Sequence, residues 1–316
     1  MQCHHGARPV QTPVIRRLHK ERGITLIELI VTIVLLGIVS VTIGVFLMPA
    51  FTANQALERR AGLVDAAESS LRRMARDIRI ALPNSVRISP TANGFAIEMI
   101  PTAAGGKYCI AGLANCAGAA QLLDMTANDA SFDILGCFRN PAFILANGTP
   151  AYRLVIGDLD GSVYAVPGAQ AVISPAGRNI GVIVQPAGVC GVGASRHRIT
   201  ISGGGHRFLN ASVNERLYAI QVAAVPISYV CNTATGTLRR YAGYGLPRAT
   251  QPTNEVAAPL STAPSIALVS NNINRCGVLG DTDSVRATGI VTLQLGLAGT
   301  NETIELLHQV QLDNSL

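Results

Sequence analysis

Several groups of residues in this sequence have types and spacings that chemistry can use. Glu28 sits at the fifth place of residues 24–48, an otherwise apolar run reading ITLIELIVTIVLLGIVSVTIGVFLM. A carboxylate within lipid costs about 2.5–3.5 kcal/mol, so such a residue is either placed at the interface or has a task. Asp158 and Asp160 in GDLDGS, and Asp281 and Asp283 in GDTDS, offer loop oxygens to a hard cation such as calcium. Neither pair has the spacing of a complete EF-hand loop, and ordinary Asp-Gly turns account for both. Ser195 and His197 are neighbours, but their strand-like setting makes them a surface pair rather than part of a triad. His308 falls on the apolar side of the last strand and reads as a packed or interface histidine. The 7 cysteines contain no CxxC, and no HExxH accompanies them, which leaves a zinc site without support. GxSxG, Walker A and paired GxGxxG patterns are absent as well. The expectation is a protein that is not an enzyme and has no cofactor and no metal.

The elements that must position Glu28 come next. The 316 residues carry +6, with 48% hydrophobic and only 14% charged types, a balance that excludes a wholly disordered chain. The length is ample for a sizeable core. Most of the charge lies at the front. Residues 1–23 hold Arg8, Arg16, Arg17, Lys20 and Arg22 against Glu21, a net +4, so only +2 remains for the rest. The 25 residues of 24–48 would span about 37 Å as a helix, enough for a hydrocarbon core of about 30 Å. That is longer than the apolar part of a cleaved secretory signal, so the segment is retained. Residues 51–70 carry a net −1, and positive-inside bias then places residues 1–23 in the cytoplasm and the bulk of the chain outside. The basic character is a topology signal more than a nucleic-acid footprint. His4 and His5 lie in that basic segment and form no site.

Arg22-Gly23-Ile24-Thr25-Leu26-Ile27-Glu28-Leu29 resembles the prepilin cleavage and methylation motif of type IV pilins and type II secretion pseudopilins. The resemblance implies that a membrane-embedded peptidase cuts between Gly23 and Ile24 and methylates the new amine of Ile24. Family members usually have phenylalanine or methionine at that place, and isoleucine is a mild departure. The residues fit the chemistry. Gly23 has no side chain to obstruct a protease approaching extended backbone. The cut exposes an ammonium on Ile24 in an apolar setting, and Glu28 supplies the opposite charge. Pairing Glu28 with a neighbour's amine in a filament neutralises both, much as one buried polar residue sets register in a coiled coil.

Beyond the membrane segment the helical pattern continues. Val64, Ala67, Leu71, Met74, Ile78 and Leu82 recur at three and four, an apolar stripe suited to covering a β-sheet. Pro83 marks the end, giving a helix over 24–82 of about 88 Å, with a kink expected at Pro49. Arg72, Arg73, Arg76 and Arg79 lack interleaved aromatics and are interrupted by Asp77, so they read as a solvated or subunit-facing helix side. Residues 83–316 read as β-rich. Phe95, Ile97 and Met99 alternate with Ala96 and Glu98, and residues 291–297 and 304–312 alternate as a terminal hairpin split by residues 298–302. Residues 102–118, 202–205 and 251–264 read as loops. The fold class is therefore α+β and pilin-like: a cleaved leader 1–23, a long helix 24–82, and an antiparallel β head over 83–316.

Losing Cys3 with the leader leaves Cys109, Cys116, Cys137, Cys190, Cys231 and Cys276. An even number beyond the membrane suits an oxidising compartment, where fifteen pairings are possible. Short spacing favours Cys109–Cys116. Cys231 ends one strand and Cys276 precedes the terminal hairpin, which favours pairing them, and Cys137–Cys190 is the remainder.

RRMARDIRIALPNSVRI, SYVCNTATGTLRRYAGY and the ending GIVTLQLGLAG with IELLHQVQLDN resemble the MshO type of minor pilin, from the mannose-sensitive haemagglutinin (MSHA) pilus system and related to PilW and J-type pseudopilins. Residues 102–224 match poorly. The resemblance implies a low-abundance subunit that helps initiate assembly or lies near the filament tip. Its implied partners are other pilin subunits, the prepilin peptidase and an inner-membrane assembly platform, with no nucleic acid expected. Its implied location is the inner membrane before assembly and the extracellular pilus after it. The alternatives are a J-type secretion pseudopilin, or an adhesin or DNA-uptake tip subunit with a ligand site in 102–224.

Overall fold

The apolar stripe is the seam of the fold. A computed structural model describes residues 23–112, 116, 121–145, 148–165, 170–186, 188–193, 195–246, 248–300 and 302–312. The leader up to Arg22, with Cys3, His4 and His5, lies outside them. Helix α1 (Leu26–Arg79) buries Ala67, Leu71, Met74 and Ile78, while Arg72, Arg73, Arg76 and Arg79 remain exposed. It runs unbroken through Pro49. The helix stops short of Leu82 because the sheet captures the chain first. Ala81 bridges Pro101, and the Leu82 amide donates to Ile100 O at 2.7 Å before Pro83 is reached. The chain divides into two compact units, Met1–Leu57 and Glu58–Leu316.

In the second unit the described strands are β1 (Arg87–Thr91), β2 (Gly94–Met99), β3 (Ala104–Lys107), β4 (Ser131–Asp133), β5 (Tyr152–Ile156), β6 (Gln170–Ala171), β7 (Ile180–Gln185) and β8 (Arg196–Ile201). They continue as β9 (Arg207–Phe208), β10 (Arg216–Gln221), β11 (Ile227–Asn232), β12 (Thr237–Ala242), β13 (Ser265–Ser270), β14 (Ile273–Leu279), β15 (Ile290–Gly299) and β16 (Glu302–Gln311). Short helices α2 (Pro141–Leu145) and α3 (Thr282–Thr288) follow β4 and β14. An antiparallel sheet in the order β1-β2-β11-β12-β13 and a terminal sheet β14-β15-β16 share one core with α1. Phe95, Ile97, Met99, Tyr229, Leu293 and Val310 pack there against Leu71, Met74 and Ile78. This is the α+β architecture expected, a long N-terminal helix on antiparallel sheet.

The chain between β2 and β11 folds as a lobe of its own. Sheets β3-β10-β5 and β4-β8-β7 enclose a second core that includes Tyr108, Phe132, Phe143, Leu154, Ile199 and Leu217. Residues 102–118 are thus not all loop, since β3 (AGGK) pairs with β10. Ala and Gly carry little strand propensity. They serve here because room is short: a Cβ on Gly106 would lie 3.2 Å from the Phe138 ring.

Strand β2 also departs from simple alternation. Ala96 and Glu98 are as buried as Phe95 and Ile97, because Tyr244, Leu260 and Ala263 pack onto the outer face. Glu98 is 0% exposed and lies directly opposite Arg87 in the β1–β2 register. Its Oε2 accepts from Arg87 Nε, and its Oε1 accepts from Tyr244 OH at 2.5 Å. Arg87 then donates to the Arg248 and Ala249 carbonyls at 2.7 and 2.9 Å, which ties the covering segment down. The terminal hairpin is tighter than expected, with pairing maintained from Ile290 opposite Gln311 to Gly299 opposite Glu302.

Three disulfides join Cys109 to Cys116, Cys137 to Cys190 and Cys231 to Cys276. The last links β11 to β14, and so the two sheets beneath α1. Gly94 passes so close that a Cβ there would strike the Cys231 carbonyl, with Cys276 Sγ 2.8 Å away.

Candidate functional site at the N-terminal junction

Gly23, Ile24 and Thr25 precede the helix, non-helical and exposed. Thr25 Oγ1 accepts the Glu28 amide at 3.3 Å, and Thr25 O accepts the Leu29 amide at 3.1 Å. Thr25 is therefore the N-cap and Glu28 the third helical residue, the Thr-x-x-Glu arrangement of a capping box. The Gly23–Ile24 peptide lies just ahead of this cap, with its backbone free of helical hydrogen bonding. That is the state a protease needs. A Cβ on Gly23 would meet nothing within 4 Å, so the chain itself places no steric demand for glycine there.

The cap also sets the electrostatics. An α-helix carries about +0.5 charge at its N-terminus, and an ammonium on Ile24, were the chain cut before it, would add a full positive charge one residue before the cap. Glu28, in the first turn, is the carboxylate that offsets both.

Every Ile, Leu, Val, Phe and Met from Ile24 to Met48 is exposed on all sides of the helix. A helix that is apolar all round belongs in a membrane or inside an assembly. The hydroxyls of Thr32 and Thr42 donate back to Leu29 O and Val39 O at 2.9 and 2.8 Å, which satisfies them without water. Among the described residues, α1 is the one helix long and apolar enough to cross a membrane.

Most of the other residues singled out by sequence are scattered, and among the described residues His197 with the Cys137–Cys190 bond is the one grouping. Ser195 and His197 are not a surface pair. His197 is buried, and its Nδ1 accepts the Phe138 amide at 2.9 Å, whereas Ser195 Oγ donates to Pro186 O at 3.2 Å. Burial lowers the His197 pKa. Its side chain lies instead beside the Cys137–Cys190 bond. Asp281 is the N-cap of α3, in a reciprocal capping box with Ser284, and Asp283 is exposed behind it. Asp158 is buried, and its Oδ1 accepts from Val163 N and Ser162 Oγ, both at 3.3 Å, while Asp160 Oδ1 accepts the Ser162 amide at 3.0 Å. These are turn and cap roles. His308 is half-buried on the inward side of β16, between Leu306 and Val310.

Sequence reasoning passed over Thr25 as a cap, although Thr-x-x-Glu before an apolar run was there to be read. The meeting of His197 with Cys137 and Cys190 left no local trace.

Residues 18–44 match the prokaryotic N-terminal methylation motif. Comparison with curated proteins and with solved structures finds no match. The N-terminal end of the chain is thus prepilin-like, with the Gly23–Ile24 junction and Glu28 inside the matched span.

Proposed function

We propose that this protein is a minor type IV pilin of an MSHA-type pilus, a structural subunit and not an enzyme. A prepilin peptidase removes residues 1–23 and methylates the amine of Ile24. Residues 24–48 then hold the chain in the inner membrane, with its head outside, until an assembly platform draws it into a filament of pilin subunits. The observation that carries this reading is one arrangement: an unhelical Gly23–Ile24 junction, a first-turn Glu28, and an all-apolar exposed helix that continues into a sheet-packed half. Membrane and filament are successive solvents for the same apolar surface. In the second, Glu28 of one subunit meets the Ile24 amine of its neighbour, and two charges that are each costly in an apolar setting neutralise each other.

The lobe between β2 and β11 supports a place at the filament end. It adds a second core to the head without contributing a strand to the sheet that packs on α1. A subunit at an end has one side free of neighbours for such an addition. Initiating assembly and occupying the tip are then one role, since the first subunit in is the one left furthest out.

The test is to shear pili from cells, probe them for this protein, and locate it by immunogold labelling. Label at filament ends in substoichiometric amount supports the reading. Label along the whole filament refutes the tip role, and retention in a secretion pseudopilus assigns the chain to the J-type system instead. Intact-mass measurement on the purified protein tests the processing. A mature chain beginning with N-methyl-Ile24 is expected, and a chain retaining residues 1–23 refutes it.

A further inference from the structure

The β7–β8 loop brings Cys190 against the segment after β4, where it is bonded to Cys137, and His197 on β8 lies alongside. The two sulfurs and an imidazole nitrogen all fall within 4.8 Å of one another. Among the described residues this is the one cluster of three such ligands. It is also where the chain is open to reduction. Cys109, Cys116 and Cys231 are buried, whereas Cys137 and Cys190 are both only half-buried, so this bond alone has neither cysteine buried.

We propose that Cys137, Cys190 and His197 form a redox-gated site for one zinc-like divalent cation, closed while the disulfide stands and open once it is reduced. Two thiolates and a neutral imidazole are the donor set of a tetrahedral zinc site with its fourth position free. Tetrahedral bonds of about 2.3 Å to sulfur and about 2.0 Å to nitrogen put donors roughly 3.5–3.8 Å apart, inside the present cluster once the sulfurs part by about 2 Å. The loop bearing Cys190 is suited to that movement. Gly191 and Gly193 sit in it at φ +86° and +62°, and Val189 and Val192 are exposed rather than packed. The imidazole is already held. Its ring stacks on Phe138 at 5.9 Å between centroids, and the Phe138 amide donates to Nδ1, so that a cation taken at Nδ1 displaces one hydrogen bond.

The step balances. A dithiol delivers two electrons and two protons to the Cys137–Cys190 bond and becomes a disulfide itself. The cation then displaces both thiol protons to solvent, and its +2 charge against two thiolates leaves the site neutral.

The test uses the full-length protein in detergent. An immobilised dithiol opens the accessible bond and is removed, alkylation with peptide mass analysis identifies the free thiols, and Co2+ is titrated as a spectroscopic stand-in for zinc. The expected result is one equivalent bound with a thiolate-to-cobalt charge-transfer band and the intense visible bands of a tetrahedral site. The oxidised protein shows neither. His197→Gln weakens cobalt binding at least tenfold, about the lower bound for loss of even an outer-shell partner. His197→Cys puts another ligand at the same place and restores binding, which a misfolded chain would not. The double variant Cys137→Ser with Cys190→Ser shows no band after the same reduction. Equal binding by His197→Gln overturns the proposal, as does a band in the double variant. So does silence from wild-type protein whose Cys137 and Cys190 are shown to be free.

Discussion

Asp158→Asn should make the head more stable near neutral pH, and the size of the gain follows from where the carboxylate sits. Asp158 is 8% exposed at the start of the turn after β5, and its backbone carbonyl accepts the Asn84 side-chain amide at 2.8 Å. Oδ1 has two long hydrogen bonds, but Oδ2 is buried with none. It lines a cavity of about 30 Å3 together with Arg216, whose buried Nε also lacks a partner. Burial, with Asp160 nearby adding to it, pushes the carboxyl up from 3.8 to about 6. The folded state therefore keeps the proton to higher pH than the unfolded chain does. Its contribution is intact below pH 3.8, falls as pH rises from about 4 to 6, and is constant above that. The difference of about 2.2 units (6 less 3.8) corresponds to about 3 kcal/mol at 1.36 kcal/mol per unit. Asparagine has no proton to lose, so it escapes this decline. Thermal unfolding of the full-length protein in detergent, followed by tyrosine near-UV dichroism from pH 4 to 8, reads the effect. The variant should gain about 2.4 kcal/mol on wild type between pH 4 and pH 7.5, because about 0.4 of a unit is already lost by pH 4, or roughly 5–10 °C in Tm for a domain of this size. Parallel curves for the two proteins across that range would refute the reasoning.

Three further outcomes are expected. Glu98→Ala strands Arg87 in the covered face of the sheet and should cost about 3–5 kcal/mol in denaturant unfolding, while replacing both by apolar residues (Arg87→Met with Glu98→Leu) should recover most of it. Cys231→Ala with Cys276→Ala opens a link spanning 45 residues and should cost about 4 kcal/mol in the chain-entropy model, read from the denaturation midpoint with the other two bonds intact. Glu28→Val should leave cleavage at Gly23–Ile24 unchanged by intact mass yet remove the protein from sheared filaments; normal incorporation would contradict the charge-pairing role.

The helix and the hairpin were legible in the sequence because each has one face in oil and one in water. Met74 and Arg76, or Leu295 and Gln294, announce their sides by type alone. Glu98 could not be read that way. Its burial depends on Tyr244, Arg248 and Ala249, about 150 residues along the chain, and local alternation carries no information about a segment that returns from so far. Strand β3 was hidden for the opposite reason, since Ala, Gly, Gly and Lys have little strand character and only the pairing with β10, far along the chain, makes them a strand. At the N-terminus the chemistry is local, so the Gly23, Ile24 and Glu28 constellation stood in plain view. The Cys137–Cys190–His197 cluster is assembled by the lobe's topology and had no counterpart in spacing.

The topology also sets the middle of the chain apart from the two ends that build the α1 core. Strands β2 and β11 are neighbours in the sheet, with Gly94 opposite Asn232 and Met99 opposite Ile227. The chain leaves the sheet after Met99 and re-enters it beside the point of departure, so everything between is a closed excursion. The constraint on residues 64–99 and 227–312 is to fit one another. The lobe must close its own core, bring its ends together and seat Val155, Tyr164 and Ile220 against Leu82 and Ile100. Sequence pattern survives where a residue must answer to α1. In the lobe residues answer to one another and to Leu82 and Ile100, contacts far apart in the chain that local pattern does not reveal.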